Sequence, residues 1–227
     1  MLNRQFHTAI SAPRFQRYLQ ACGNQERALA LYRANIALSK QLYGVIGVFE
    51  IILRNSIDQF MMSQQGTKWL ENAVSPGGYF EIHVGCEDTY HSAQEAIHRL
   101  GGKYTHDGLI AKLTFGFWTY IFATKQYAAA GSILLNVFPK RPFGTKQKLV
   151  FQNLIKINDL RNRIAHYEPL CFEKEEISTF RTEKRHKLLH DLLTWLGCNS
   201  KQILSDIDDV AKPLSDIAMI KAEVEAR

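Results

Sequence analysis

Residues 24–65, NQERALALYRANIALSKQLYGVIGVFEIILRNSIDQFMMSQQ, decide the fold. The stretch contains no proline, and Leu31, Ile36, Leu38, Leu42, Ile46, Phe49, Ile52, Leu53, Ile57, Phe60 and Met61 recur mostly three or four positions apart. That is the spacing of one helical face, and it predicts a helix of about forty residues whose apolar stripe other helices must cover. Gly44 and Gly47 predict either a bend or a point where another helix comes close. Upstream, Ser11 and Pro13 read as a helix start and Gly23 as its stop. Downstream, a loop is expected over 66–85, with a turn at Ser75-Pro76-Gly77-Gly78. Helical periodicity then predicts segments over about 87–100, 106–122, 127–138, 145–167, 174–196 and 200–225. Strand alternation is nearly absent, and no repeat, low-complexity tract or linker divides the chain. The expectation is an all-α fold: one helical domain over 1–196 and a helical extension over 197–227.

Composition agrees with a packed domain. Of the 227 residues 46% are hydrophobic and 22% charged, which argues against wholesale disorder. Cys22, Cys86, Cys171 and Cys198 lie far apart, so neither a disulfide framework nor a Cys-rich zinc site is expected, and a reducing, cytoplasmic setting fits. Arg4, Gln5 and His7 interrupt the apolar run that a secretory signal needs. The most membrane-like stretch, 113–138, is divided by Lys125 and Gln126 into halves short of the roughly 20 residues that span a bilayer. The 28 Lys and Arg against 22 Asp and Glu leave a formal charge of +6, which permits a polyanionic partner without requiring one.

The segment Asp159-Leu160-Arg161-Asn162-Arg163-Ile164-Ala165-His166-Tyr167 carries the chemistry of most interest. It places an Arg, an Asn and a His at the end of a helix that Pro169 must stop. Asn162 and His166 are four apart and share a face with Asp159. Arg161 lies about 140° around an ideal helix from His166, five steps of 100° each. The two converge only if the helix frays or if His166 reaches a second subunit. By spacing alone the segment reads first as a solvated last turn whose basic residues complement the helix dipole.

A second cluster, Glu50, Arg54 and Asp58, falls at i, i+4 and i+8 in an apolar stretch, either a structural ion-pair ladder or a support for an active site. Glu95-x-x-His98 and Glu183-x-x-His186 match a di-iron element no better than chance. His186 and His190 are one turn apart with no carboxylate a turn further on. Lys140, Arg141, Lys146, Lys148 and Lys156 precede the Arg161 segment, and Arg181, Lys184, Arg185 and Lys187 follow it. Around a site they would draw in a phosphodiester backbone. No metal or other cofactor is expected, and no phosphate-cradling glycine loop is present.

Arg161-Asn162-Arg163-Ile164-Ala165-His166 resembles the Arg-Asn-x-x-x-His signature of HEPN-superfamily ribonucleases. Its setting, LRNRIAHYEPL at 160–170, is similar to the Abi-like (abortive infection) proteins of bacteria. FEIILRNSID at 49–58 and LTFGFWTYIF at 113–122 resemble the same family, in the same order. The resemblance implies a HEPN-like helical bundle that forms a homodimer with a composite active site. It implies metal-independent RNA cleavage in which a ribose 2′-OH attacks the adjacent phosphorus and leaves a 2′,3′-cyclic phosphate. Arg161, His166 and Asn162 would be catalytic, with Glu50, Arg54, Asn55, Asp159 and Tyr167 as supports. Lys146, Lys148, Lys156 and Arg163 would meet the RNA backbone. The implied biology is a cytoplasmic phage-defence effector or toxin, restrained by an antitoxin RNA or protein and without a membrane. The alternatives are a non-catalytic RNA-binding HEPN protein held by a structured or antitoxin RNA, and a plain helical dimerisation protein.

Overall fold

A computed structural model describes Ile10 and residues 12–226 of the chain. Ser11, one half of the expected helix start, and Arg4, Gln5 and His7, on which the reading against a secretory signal rested, lie outside the described residues. Among the described residues 72% are helical and the one sheet is a two-stranded hairpin, so the fold is all-α as expected.

Helix α1 (Ala12–Cys22) stops at Gly23, whose φ of +69° is the left-handed conformation that glycine adopts without strain. Asn24 then accepts the Arg27 N–H on Oδ1 at 2.9 Å and starts α2, which runs unbroken from Gln25 to Gln65. Neither glycine interrupts it. A Cβ on Gly44 would touch Ile207 at 3.4 Å, whereas one on Gly47 would meet nothing within 4 Å. The expected loop over 66–85 holds two short helices, α3 (Trp69–Ala73) and α4 (Tyr79–Ile82). Helix α5 (Glu87–Leu100) comes next, as predicted.

The span 106–122 divides into α6 (His106–Lys112) and α7 (Phe115–Tyr120). Leu113 is extended, and Thr114 caps α7 by accepting the Phe117 N–H at 3.4 Å. Helix α8 (Thr124–Ala129) precedes a 3₁₀ turn at Leu134–Val137, and α9 spans Gln147–Ala165. Between 174 and 196 the helix begins late. The strands β1 (Phe172–Glu173) and β2 (Glu176–Ile177) pair antiparallel across a turn where Lys174 has φ +51°, and α10 (Phe180–Trp195) comes after them. The C-terminal span is α11 (Ser200–Ile203) and α12 (Ala211–Glu225), separated by seven non-helical positions. Among the described residues, α2 is the helix long and apolar enough to cross a membrane. Its Leu31, Leu38, Leu42, Phe49, Leu53 and Ile57 are buried by protein.

The chain divides into two compact units. The first comprises the described part of 1–46 with 160–187 and 204–227. Its centre packs Tyr18 edge-on against Phe172 and Tyr32, with ring centroids 5.1 and 5.2 Å apart. Leu31, Leu38, Leu42, Leu170 and Ile217 are also buried. The second comprises 47–159 and 188–203. Phe49 meets Phe115 at 6.0 Å there, and Phe122 meets Phe138 at 5.6 Å. Asp58 is buried in this second core, and its Oδ1 lies 2.7 Å from both Trp69 Nε1 and His106 Nε2. A buried carboxylate needs such partners to offset its desolvation.

In the first unit, burial raises the Tyr18 hydroxyl far above its usual range and pushes the Cys171 thiol up to about 12. Both groups ionise more readily in the unfolded chain. Their contribution to stability is therefore whole below about pH 9 and declines as pH rises toward about 12. Urea-unfolding midpoints are expected to fall between about pH 9 and 11, and Tyr18→Phe is expected to flatten that fall. A wild-type midpoint constant over this range would contradict the assignment.

Candidate functional site

The sequence segment of interest closes helix α9. Val150, Leu154, Ile157, Leu160 and Ile164 are buried at three- and four-residue spacing, which leaves the opposite face to solvent. On that open face lie Asp159, Asn162 and His166, all exposed, while Arg161 is half-buried. The winding persists to the end, since the His166 N–H donates to Asn162 O at 2.9 Å. Fraying does not bring Arg161 and His166 together. Within one chain they stay about 140° apart around the helix.

The cap explains why the helix stops so sharply. The Tyr167 N–H donates to Ile164 O at 3.0 Å, and the Glu168 N–H donates to Arg163 O at 2.8 Å. This is the paired closure in which the residue after the C-cap turns left-handed. Glycine usually holds that position. Here Tyr167 holds it with φ +55°, at a cost of about 1–2 kcal/mol, and its side chain is 69% exposed. Arg163 reinforces the cap, with Nε 3.2 Å from Glu168 Oε2 and its guanidinium donating to Pro169 O. Arg163, expected to meet an RNA backbone, is thus engaged with its own chain.

Beyond the cap, the exit is held by a residue that sequence reasoning passed over. Asn35 is 2% exposed, and its Oδ1 accepts the N–H groups of Leu170 at 2.7 Å and Cys171 at 3.2 Å. Thr182, also buried, donates its hydroxyl to Leu170 O at 2.9 Å. A signal existed: Asn35 interrupts the buried Leu31–Leu38–Leu42 stripe of α2 as its one amide. His166 and Tyr167 are therefore exposed side chains on a backbone locked from both sides.

The remaining expected site residues spread over the second unit. Glu50 and Arg54 are half-buried on α2 and Asn55 is exposed. The ladder that began with them does not run on to Asp58, whose carboxylate turns to Trp69 and His106. Lys146 and Lys148 are exposed, while Lys156 Nζ donates to the buried Asn153 at 3.2 Å. Arg141 donates to Leu135 O and Phe138 O.

In the first unit, a groove of about 520 Å³ opens beside the motif. Ile36, Lys40 and Tyr43 of α2 line it together with Ile164, Ala165 and Tyr167. On metal ligation, His186 Nε2 lies 2.7 Å from Asp208 Oδ2. The carboxylate that α10 does not offer one turn beyond His190 thus comes from the segment before α12, and a metal site would start from this pair. His190, one turn beyond His186, has Nδ1 3.1 Å from Ser200 Oγ.

Asn35→Leu would strand two buried N–H groups beside the motif, and each lost partner costs about 1–3 kcal/mol. The variant is expected to be about 2–4 kcal/mol less stable by urea unfolding. A loss below about 1 kcal/mol would mean that those groups have another acceptor. Compared with protein-family models, with curated proteins and with solved structures, the chain matches none.

Proposed function

We propose that the chain is a HEPN-type, metal-independent endoribonuclease acting as a homodimer. The observation that carries this reading is the intact end of α9. It exposes Asn162 and His166 on one face and holds Arg161 about 140° away, so the Arg–His pair is completed only when a second copy supplies the missing member.

The chemistry follows from the residue types. A ribose 2′-OH attacks the adjacent phosphorus while its proton passes to a base, and the 5′-oxygen departs as an acid protonates it. The imidazole of His166 performs these transfers, because histidine gains and loses a proton near neutral pH more readily than other side chains. Arg161 from the facing copy holds the phosphorane oxygens with its planar fork of donors. Asn162, one turn before His166, orients the imidazole or binds the scissile phosphate. The products are a 2′,3′-cyclic phosphate and a 5′-hydroxyl.

The abortive-infection or toxin role, the cytoplasmic setting and an antitoxin RNA or protein as restraint rest on the likeness of residues 49–58, 113–122 and 160–170 to Abi-like proteins. Exposed Lys146 and Lys148 and the +6 charge are compatible with RNA as substrate.

The test is cleavage of end-labelled RNA in excess EDTA, with product ends mapped. Wild type is expected to leave cyclic-phosphate ends. His166→Ala should lose at least about 100-fold in rate, the usual contribution of a general acid–base group, and still bind RNA. RNA bound but left intact by wild type would favour the non-catalytic RNA-binding reading. A strict monomer in solution would remove the shared site.

A further inference from the structure

We propose that Tyr167 and Tyr43 form a stacking platform for unpaired bases of single-stranded RNA, in the groove beside His166. The inference rests on the nuclease reading and adds how that site selects its strand. Three observations in the first unit carry it. The groove is lined by two large exposed rings, Tyr43 at 56% and Tyr167 at 69%, and by Ile36 at 41%. Its volume of about 520 Å³ lies within the range of small-molecule sites. Its lining is apolar except for Ser39, the phenol hydroxyls and Lys40, a composition that takes a flat base and places one cation for the attached phosphate.

Position is the second observation. Ala165 and Tyr167 both line the groove, and they flank His166 in sequence. A base held there sits against the two residues that bracket His166 in the chain.

Strain is the third. Tyr167 occupies the left-handed position of the cap, with φ +55°, where glycine would be relaxed. The hydrogen bonds of Tyr167 and Glu168 lock the backbone there, and the ring it carries is 69% exposed. Strain retained at an exposed aromatic is what a binding role accounts for and a packing role does not. Stacking is indifferent to base identity, so the platform selects for unpaired strands and not for a sequence.

The test uses a fluorescein-labelled 12-nucleotide strand of 2′-O-methyl RNA, which lacks the attacking hydroxyl and stays intact, read by anisotropy. Tyr167→Gly and Tyr43→Ala are each expected to weaken binding by about 5- to 100-fold, and Tyr167→Phe by no more than about twofold. The same strand in a duplex should bind wild type less tightly. Because glycine suits the cap, the melting temperature of Tyr167→Gly should stay level or rise by about 2–4 °C. Binding lost together with a lowered melting temperature would make Tyr167 structural and overturn the platform. If wild type cuts RNA while both variants bind the strand as wild type does, the platform falls and the nuclease reading stands. If wild type neither binds nor cuts RNA, both fall. Conversion of a dimer to a monomer by these variants in sedimentation equilibrium would assign the groove to a second copy and overturn the platform.

Discussion

The N–H groups of Leu170 and Cys171 are buried where the chain has left α9 and no ladder of helix or strand reaches them, and the amide oxygen of Asn35 accepts both. Much of the first unit's order near the motif depends on this arrangement. Unpaired, those donors would pull the segment toward water. Paired, they fix Pro169 and Leu170 against the N-terminal third of α2, and the Thr182 hydroxyl donates to Leu170 O. The cap at Tyr167 is thus closed by its own hydrogen bonds and anchored a second time through Leu170 and Cys171. An amide suits the position because it offers two lone pairs without bringing a charge into the core.

The second unit meets the same demand with a charge. Asp58 sits in an apolar environment and is tolerated because an indole and an imidazole both reach its Oδ1. Asn35 and Asp58 lie on the same long helix, and each ties it to segments remote in sequence. A helix with an apolar stripe can slide along its partners at small cost, since leucines are interchangeable contacts. A buried polar group with fixed partners forbids the slide, because each shifted register leaves donors unmet.

The amino-acid sequence made the helical class legible and left the joints obscure. The long helix was readable because forty residues of periodicity outweigh local ambiguity. Its start at Asn24 and the stop at Gly23 follow ordinary capping chemistry. The break at Thr114 was also chemical in origin, yet a threonine among Leu113, Phe115 and Phe117 reads as one more apolar-face residue until its hydroxyl is seen accepting the Phe117 N–H. The hairpin around Lys174 was invisible, since two-residue strands are too short to alternate. In the candidate site, the residues of the motif were legible by likeness and its geometry only by structure. Periodicity could state that Arg161 and His166 diverge on an ideal helix, but not that the helix stays ideal to its end. The break in the stripe marked Asn35 but not its partners 135 positions on, and neither the Thr182 bond nor the groove leaves a periodic signal.

An exposed histidine on a locked helix end has a consequence for how the proposed enzyme is controlled. Groups that act on a reacting phosphate must hold their positions within about half an ångström, and side chains on rigid elements do so better than those on loops. Here the Tyr167 cap, the Arg163–Glu168 pair and the Asn35 anchor hold the backbone in advance, so no rearrangement of one chain is needed to ready His166. What one chain would lack, on the proposed reading, is the facing arginine. On the proposed reading, the step that turns activity on is therefore association, and activity follows the square of protomer concentration while dimers are scarce. An antitoxin need not distort the site to silence it. Covering the exposed end of α9 in one copy would be enough, because the same surface that presents His166 must meet its partner.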